Sequence, residues 1–158
     1  DASLNLLYCL MDLGRSTEGL DMAEEALALG RYQGTDILRS NLASAFVELG
    51  NTEKAVHHSE LVIRDSHNPS ILCITWARLV QLYDPSDKAA IHQAIDKALY
   101  YAEQTELLMP QATMIECVFK RGNEDQRQRA HPFLATLDQN ALPPFMQERL
   151  KLALVELS

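Results

Sequence analysis

Between residues 42 and 62 apolar and polar positions alternate with the period of a helix, twice in succession. Leu42, Ala43, Phe46 and Leu49 fall at i, i+1, i+4 and i+7, one face of a first helix. Gly50 follows, a residue that enters left-handed backbone at no steric cost and so ends a helix. Asn51 is placed to cap a second helix, on which Ala55, Val56, Ser59, Val62 and Ile63 renew the apolar face. Two short amphipathic helices around a tight turn cannot bury their apolar faces alone, so the pattern predicts several such pairs stacked together.

The rest of the chain repeats the motif. Leu6, Leu7, Leu10 and Leu13 lead to Gly14, and Leu20, Ala23, Ala26 and Leu27 form the stripe of a second helix. Gly14 and Gly50 lie 36 residues apart, and Gly50 and Gly122 twice that. Ala26, Val62 and Ala98 recur at the same interval, as do Leu27, Ile63 and Leu99. Self-similarity at a fixed period of this size is the mark of a solenoid. In the third unit residues 84–87 replace the glycine turn, with Pro85 fixing φ and Ser86 expected as the cap of a helix over 87–103. A fourth pair starts at 111–120 and turns at 121–123. Its second helix contains Pro132, which predicts a break between 124–130 and 133–137. After Pro143-Pro144 a last helix carries Met146, Leu150, Ala153 and Leu157, either a cover for the open end of the stack or the start of a coiled coil.

Composition narrows the function. At 158 residues one domain is expected, and a net charge of −8 lacks the basic footprint that phosphate backbones demand. No apolar run reaches the length of a membrane span and no signal-peptide pattern opens the chain, which reads as a piece of something longer. Cys9, Cys73 and Cys117 are odd in number, far apart and inside helical patterns, so they are expected as small core residues in a reducing compartment. No phosphate loop, Cys-x-x-Cys or His-Glu-x-x-His is present. His57 and His58 point about 100° apart on one helix and are expected exposed or half-buried. Glu24, Glu25 and Asp65 are expected on solvated faces, and Glu116-Cys117 has no identifiable histidine partner for a thiol nucleophile. No catalytic set, cofactor or metal site is expected.

Trp76, Leu79, Val80 and Tyr83, followed by a turn and the spaced Ala90, Ala94, Ala98 and Ala102, resemble the signature of tetratricopeptide repeats. Leu42, Ala43, Phe46, Gly50 and Ala55 match it in the second unit. Leu6, Leu10, Gly14, Ala23 and Ala26 match it in the first, with Gly19 where the family usually has alanine. The resemblance covers residues 1–105 well and the remainder weakly. It implies an all-α chain, a right-handed α-solenoid of helix–turn–helix repeats with a C-terminal helix. The repeats would span 1–33, 36–68, 70–106 and a degenerate 109–140, with the helix at 143–157. The family's usual period is about 34 residues, so extra length is expected in 30–35 and 64–70.

Proteins similar to this family hold extended peptides or partner helices on the wall lined by first helices. The resemblance places Asn5, Asn41 and Arg78 there, Tyr8, Ser44 and Gln81 three residues later, and Asp12 and Glu48 one turn beyond. A side-chain amide bonds a peptide backbone as donor and acceptor, and an arginine clamps a carboxylate with two parallel bonds. Leu4 and Ile74 stand where the carboxylate-clamp subtype has lysines, and an acidic wall with amides favours a neutral or basic ligand. The resemblance extends to the sensor segments of bacterial multidomain regulators, which implies a cytoplasmic, non-catalytic protein- or peptide-binding segment acting in signal transduction or transcription regulation. The rival expectation is a structural self-association module that dimerises through the open end and the C-terminal helix.

Overall fold

The computed structural model describes residues 16–30 and 34–155; Asn5, Tyr8, Cys9, Asp12, Gly14 and Leu157 lie outside them. The described residues form eight α-helices, one short 3-10 turn and no strand: α1 (Ser16–Ala28), α2 (Thr35–Glu48), α3 (Thr52–Asp65), α4 (Pro69–Leu82), α5 (Lys88–Ala102), α6 (Leu108–Arg121), α7 (Glu124–Thr136), the turn Gln139–Ala141 and α8 (Pro144–Val155). The fold class is all-α.

The expected period reappears in the backbone. The second helix of each pair begins at Ser16, Thr52, Lys88 and Glu124, each 36 residues after the last. Where the cap is seen, it is a short polar side chain that accepts a backbone N–H of the first turn: Asn51 from Lys54, Asp87 from Ala90, Asn123 from Gln126. Asp87 caps α5 one residue beyond the expected Ser86, because Ser86 is held in its own turn, donating through its N–H and hydroxyl to Asp84. The first helices keep looser time, beginning at Thr35, Pro69 and Leu108, 34 and then 39 residues apart. The extra length is not in 64–70, where only residues 66–68 separate two helices; at the other expected place, 30–35, residues 29–34 separate α1 from α2, and the connections at 83–87 and 103–107 are nearly as long.

The chain divides into two compact units, Asp1–Asp65 and Ser66–Ser158. In the first, α2 packs along α3, and α1 against α2. Leu38, Leu42, Ala43, Ala45 and Phe46 of α2 and Ala55 and Val62 of α3 are buried, as the apolar pattern requires. Leu49, assigned to the same face, is 52% exposed at the end of its helix. Gly50 adopts φ +71°, the left-handed turn anticipated for it.

In the second unit first helices pack on first helices, α4 on α6 and α6 on α8, and second on second, α5 on α7. α4 and α5 share the largest contact, and α6 also touches α5 and α7. Cys73, Ala77, Val80, Ile91, Ala94, Ile95, Ala98, Met114, Ile115 and Val118 fill the middle, and the half-buried Trp76 packs against them. Met146, Leu150 and Ala153 of α8 have no exposure at all, so this helix closes the core through the stripe read from its 4-3-4 spacing. Polar locks join the pairs: Ser70 to Thr105 through their hydroxyls at 2.6 Å, and the buried Gln126 amide to the His92 carbonyl at 2.9 Å.

One local expectation fails. α7 runs unbroken through Pro132. The missing N–H would have met the Gln128 carbonyl, and Gln128, Arg129, His131 and Pro132 are all exposed, so the lost bond falls on the solvent side of the helix, where it costs least. A capping box at Asn123 and Gln126, with Phe133 and Leu134 packed on the core, offsets the lost bond. The turn expected at 121–123 is present, with Gly122 ending α6 at φ −76° where Gly50 takes the left-handed region. Its glycine is explained by contact, since a Cβ there would stand 2.6 Å from the Val118 carbonyl oxygen.

Candidate functional site

Of the residues expected to line a binding wall, α2 carries Asn41, Ser44 and Glu48 on one stripe, and α4 carries Arg78 and Gln81 on another. Asn41 is half-buried and its amide makes no hydrogen bond among the described residues, whereas Glu48 stands exposed. The Ser44 hydroxyl turns back to the Ser40 carbonyl at 3.3 Å, the ordinary position for a helical serine. Arg78 is only 7% exposed, and burial pulls its guanidinium down to about 10. Gln81 is exposed and stands at the edge of a cleft.

That cleft, about 570 Å³, lies wholly within the second unit, between the end of α4, the 83–85 turn, α6 and α8. Its floor is Glu116, whose side chain is 1% exposed. α6 places Lys120 one turn after Glu116, with Nζ 2.7 Å from Oε1. α8 brings Arg149 against the other side, Nε 3.0 Å from Oε1 and Nη2 2.6 Å from Oε2. A carboxylate so buried persists as an ion because two cations meet it. Both cations keep part of their surface in water, 39% for Lys120 and 43% for Arg149. Arg121 closes the far wall, donating from Nη1 to the Val80 and Tyr83 carbonyls that end α4. Lys120 and Arg149 thus pair with the buried carboxylate, while Arg121 and Asp84 line the same cleft without touching it. Hydrogen bonds from Ser86 hold the Asp84 carboxyl below its usual range, with a smaller contribution from Arg121. Around Gln81 the balance is cationic.

Cys117 lines the same cleft, but it is 2% exposed and burial raises its thiol far from ionisation, which leaves it no use as a nucleophile. Cys73 is likewise buried, its thiol pushed up to about 12 by burial, with Sγ 3.4 Å from the Pro110 carbonyl. Both are core residues, as expected.

Sequence reasoning did not anticipate this cleft. The Glu116–Lys120 spacing was its one local sign; Arg149 comes from a separate helix, and nothing in its neighbours announces the pairing.

The first unit holds a separate polar cluster. His58 is buried and stacks on Phe46 with ring centroids 5.5 Å apart, so it is neither exposed nor half-buried as expected. Its Nε2 lies 3.3 Å from Glu24 Oε1, and Lys54 Nζ lies 2.8 Å from Glu24 Oε2. Glu24 therefore ties α1 to α3, while the neighbouring Glu25 is exposed. Asp65 is also paired, with Arg39 at 2.6 Å and Arg64 at 2.7 Å. No group of three or more potential metal ligands occurs among the described residues. No helix among them is long and apolar enough to cross a membrane. Compared with protein-family models, curated proteins and solved structures, the chain matches none.

Proposed function

We propose that the chain is a non-catalytic protein- or peptide-binding scaffold, a right-handed solenoid of tetratricopeptide-like hairpins serving as the cytoplasmic sensor or interaction segment of a larger bacterial regulatory protein. The observation that carries this reading is the regular restart of the second helices at Ser16, Thr52, Lys88 and Glu124. The first-on-first and second-on-second packing in the second unit supports it further. Each unit offers its own first-helix stripe to a partner: Asn41 and Glu48 on α2 in the first unit and, separately, Gln81 on α4 in the second. The cations beside Gln81 make an acidic segment the preferred occupant of its cleft. Capture of the partner biases the output of the parent protein by favouring one arrangement of the hairpins over another.

Selection of peptides from a displayed random library on the full chain tests the proposal. Enriched peptides should bind one per chain and lose affinity about fivefold on Gln81→Ala, the value of one exposed hydrogen bond. Absence of any enriched sequence, or binding unchanged in both Gln81→Ala and Asn41→Ala, refutes it.

Self-association is the second reading, favoured by one observation: Phe145, Leu152 and Val155 of α8 are 57%, 54% and 61% exposed. Leu150 cannot serve such an interface, since it is fully buried in the core. Light scattering on a size-exclusion column separates the two readings. A dimer that Leu152→Asp converts to monomer supports self-association, and a monomer at all concentrations removes it.

A further inference from the structure

A second cavity, of about 440 Å³, opens in the second unit where α5 and α7 begin. Lys88 and His92 of α5, Lys120 and Arg121 of α6 and Arg127 of α7 line it, with Pro85 and Ile91 as its apolar wall. No carboxylate lines it. In a chain of net charge −8, four of the 14 lysines and arginines converge here.

The nearby acids are engaged elsewhere. Asp84 accepts from the Ser86 N–H and hydroxyl, Asp87 caps α5 by accepting from Ala90, and Glu116 faces Lys120 and Arg149 in the neighbouring cleft. Arg121 spends Nη1 on two carbonyls. Among the described residues neither Lys88 nor Arg127 forms an ion pair. Arg127 Nε is moreover a buried donor with no hydrogen-bond partner. Four cations converging on one cavity with no carboxylate among its lining repel one another unless an anion lies between them.

We propose that this cavity binds a small molecule carrying a phosphate monoester, the phosphate held by Lys88 and Arg127 with Lys120 and Arg121 beside it, and the organic part against Pro85 and Ile91. A phosphate monoester carries about two negative charges near neutral pH, which suits this charge excess better than the single charge of a carboxylate. Three acceptor oxygens match the fork of an arginine and the point charge of a lysine together. The volume lies in the range of small-molecule sites and exceeds what a bare phosphate fills. The cavity shares Pro85, Lys120 and Arg121 with the cleft at Gln81, but Lys88 and Arg127 lie outside that cleft, so their variants test this site separately from the peptide reading.

The test is a two-dimensional NMR titration of the full chain at constant ionic strength with three probes: inorganic phosphate, phenyl phosphate and sodium acetate. Saturable shifts centred on Lys88, Gly122, Asn123 and Arg127 are expected with both phosphates, phenyl phosphate the tighter, and none with acetate. Lys88→Gln and Arg127→Gln should each weaken phenyl phosphate about tenfold, the loss of one charge-assisted contact. Arg129→Gln, which removes an exposed cation outside the cavity, should change nothing. Lys88 is exposed at the start of its helix, so its variant remains informative even if Arg127→Gln unfolds. Vesicles containing phosphatidic acid form a separate arm. Binding to vesicles without binding to phenyl phosphate overturns the small-molecule assignment. Shifts that are non-saturating, equal for acetate, or unchanged in Lys88→Gln overturn the site itself.

Discussion

Removing Glu116 should cost less than removing the two cations that hold it. The carboxylate is 1% exposed and has Lys120 and Arg149 within 2.7 and 2.6 Å, so it relies on them. The cations do not depend on it to the same degree, since each keeps about two-fifths of its side chain in water. In Glu116→Leu the lysine and arginine swing outward and rehydrate. What is lost is the pairing, and what is recovered is the desolvation of the carboxylate, leaving a net cost of roughly 1–2 kcal/mol. In Lys120→Met/Arg149→Met the carboxylate stays behind with no counter-ion. An uncompensated buried charge costs about 3–5 kcal/mol. Urea unfolding followed by tryptophan fluorescence reads this cleanly, because Trp76 is the sole tryptophan and packs on the core of the same unit. The expected midpoints fall in the order wild type, Glu116→Leu, double variant. A double variant as stable as Glu116→Leu, or more so, would refute the reasoning and mean that the floor of the cleft is wetter than its burial indicates.

Gly50→Val should lower the unfolding midpoint by about 1–2 kcal/mol, the cost of left-handed backbone for a residue with a Cβ. Nothing lies within 4 Å of a Cβ there, so an unchanged midpoint in circular dichroism would mean the turn does not hold φ +71°. Acidification should weaken the first unit in two stages. Burial lowers the His58 pKa from 6.5 despite its bond to Glu24, so the folded state takes up a proton later than the unfolded, and stability present above 6.5 is lost below it. Burial alone would raise Glu24, but hydrogen bonds and charges from Lys54 and His58 outweigh it and hold the group below 4.5, so its contribution disappears as the pH falls past that value. Thermal melts of His58→Phe should lack the upper stage; an identical pH profile would contradict the assignment. Trp76→Ala should cost about 3 kcal/mol, toward the lower end for a buried aromatic because the ring is only half-buried. A loss under about 1 kcal/mol in urea would place the ring on the surface instead.

The elements legible in the sequence are those fixed by local chemistry. Gly50, Asn51 and the stripes at 42–46 and 90–102 each follow from a period or a cap, and the structure has them where those rules put them. The 36-residue interval survived because it is set by the starts of second helices, which short polar caps define. What escaped depends on partners distant in the chain. Arg149 reaches Glu116 across 33 residues and His58 reaches Glu24 across 34, and no pattern near either residue encodes the meeting. Pro132 misled for a related reason: its effect depends on whether the carbonyl it abandons faces water, which is a property of packing and not of the residue. The candidate wall was legible only in part. The resemblance placed Asn41 and Gln81 on a common wall, but the near-complete burial of Arg78 comes from tertiary surroundings that a single helix cannot report.

The most direct measurement of what this chain does is to map, by backbone chemical shifts of the full chain, where a selected peptide binds. The scaffold account predicts saturable one-to-one binding with the largest shifts on the first-helix stripe of one unit, either Asn41 and Glu48 on α2 or Gln81 on α4 with Lys120 and Arg149 beside it. Shifts confined to Phe145, Leu152 and Val155 of α8, or a chain that binds nothing but another copy of itself, would contradict it.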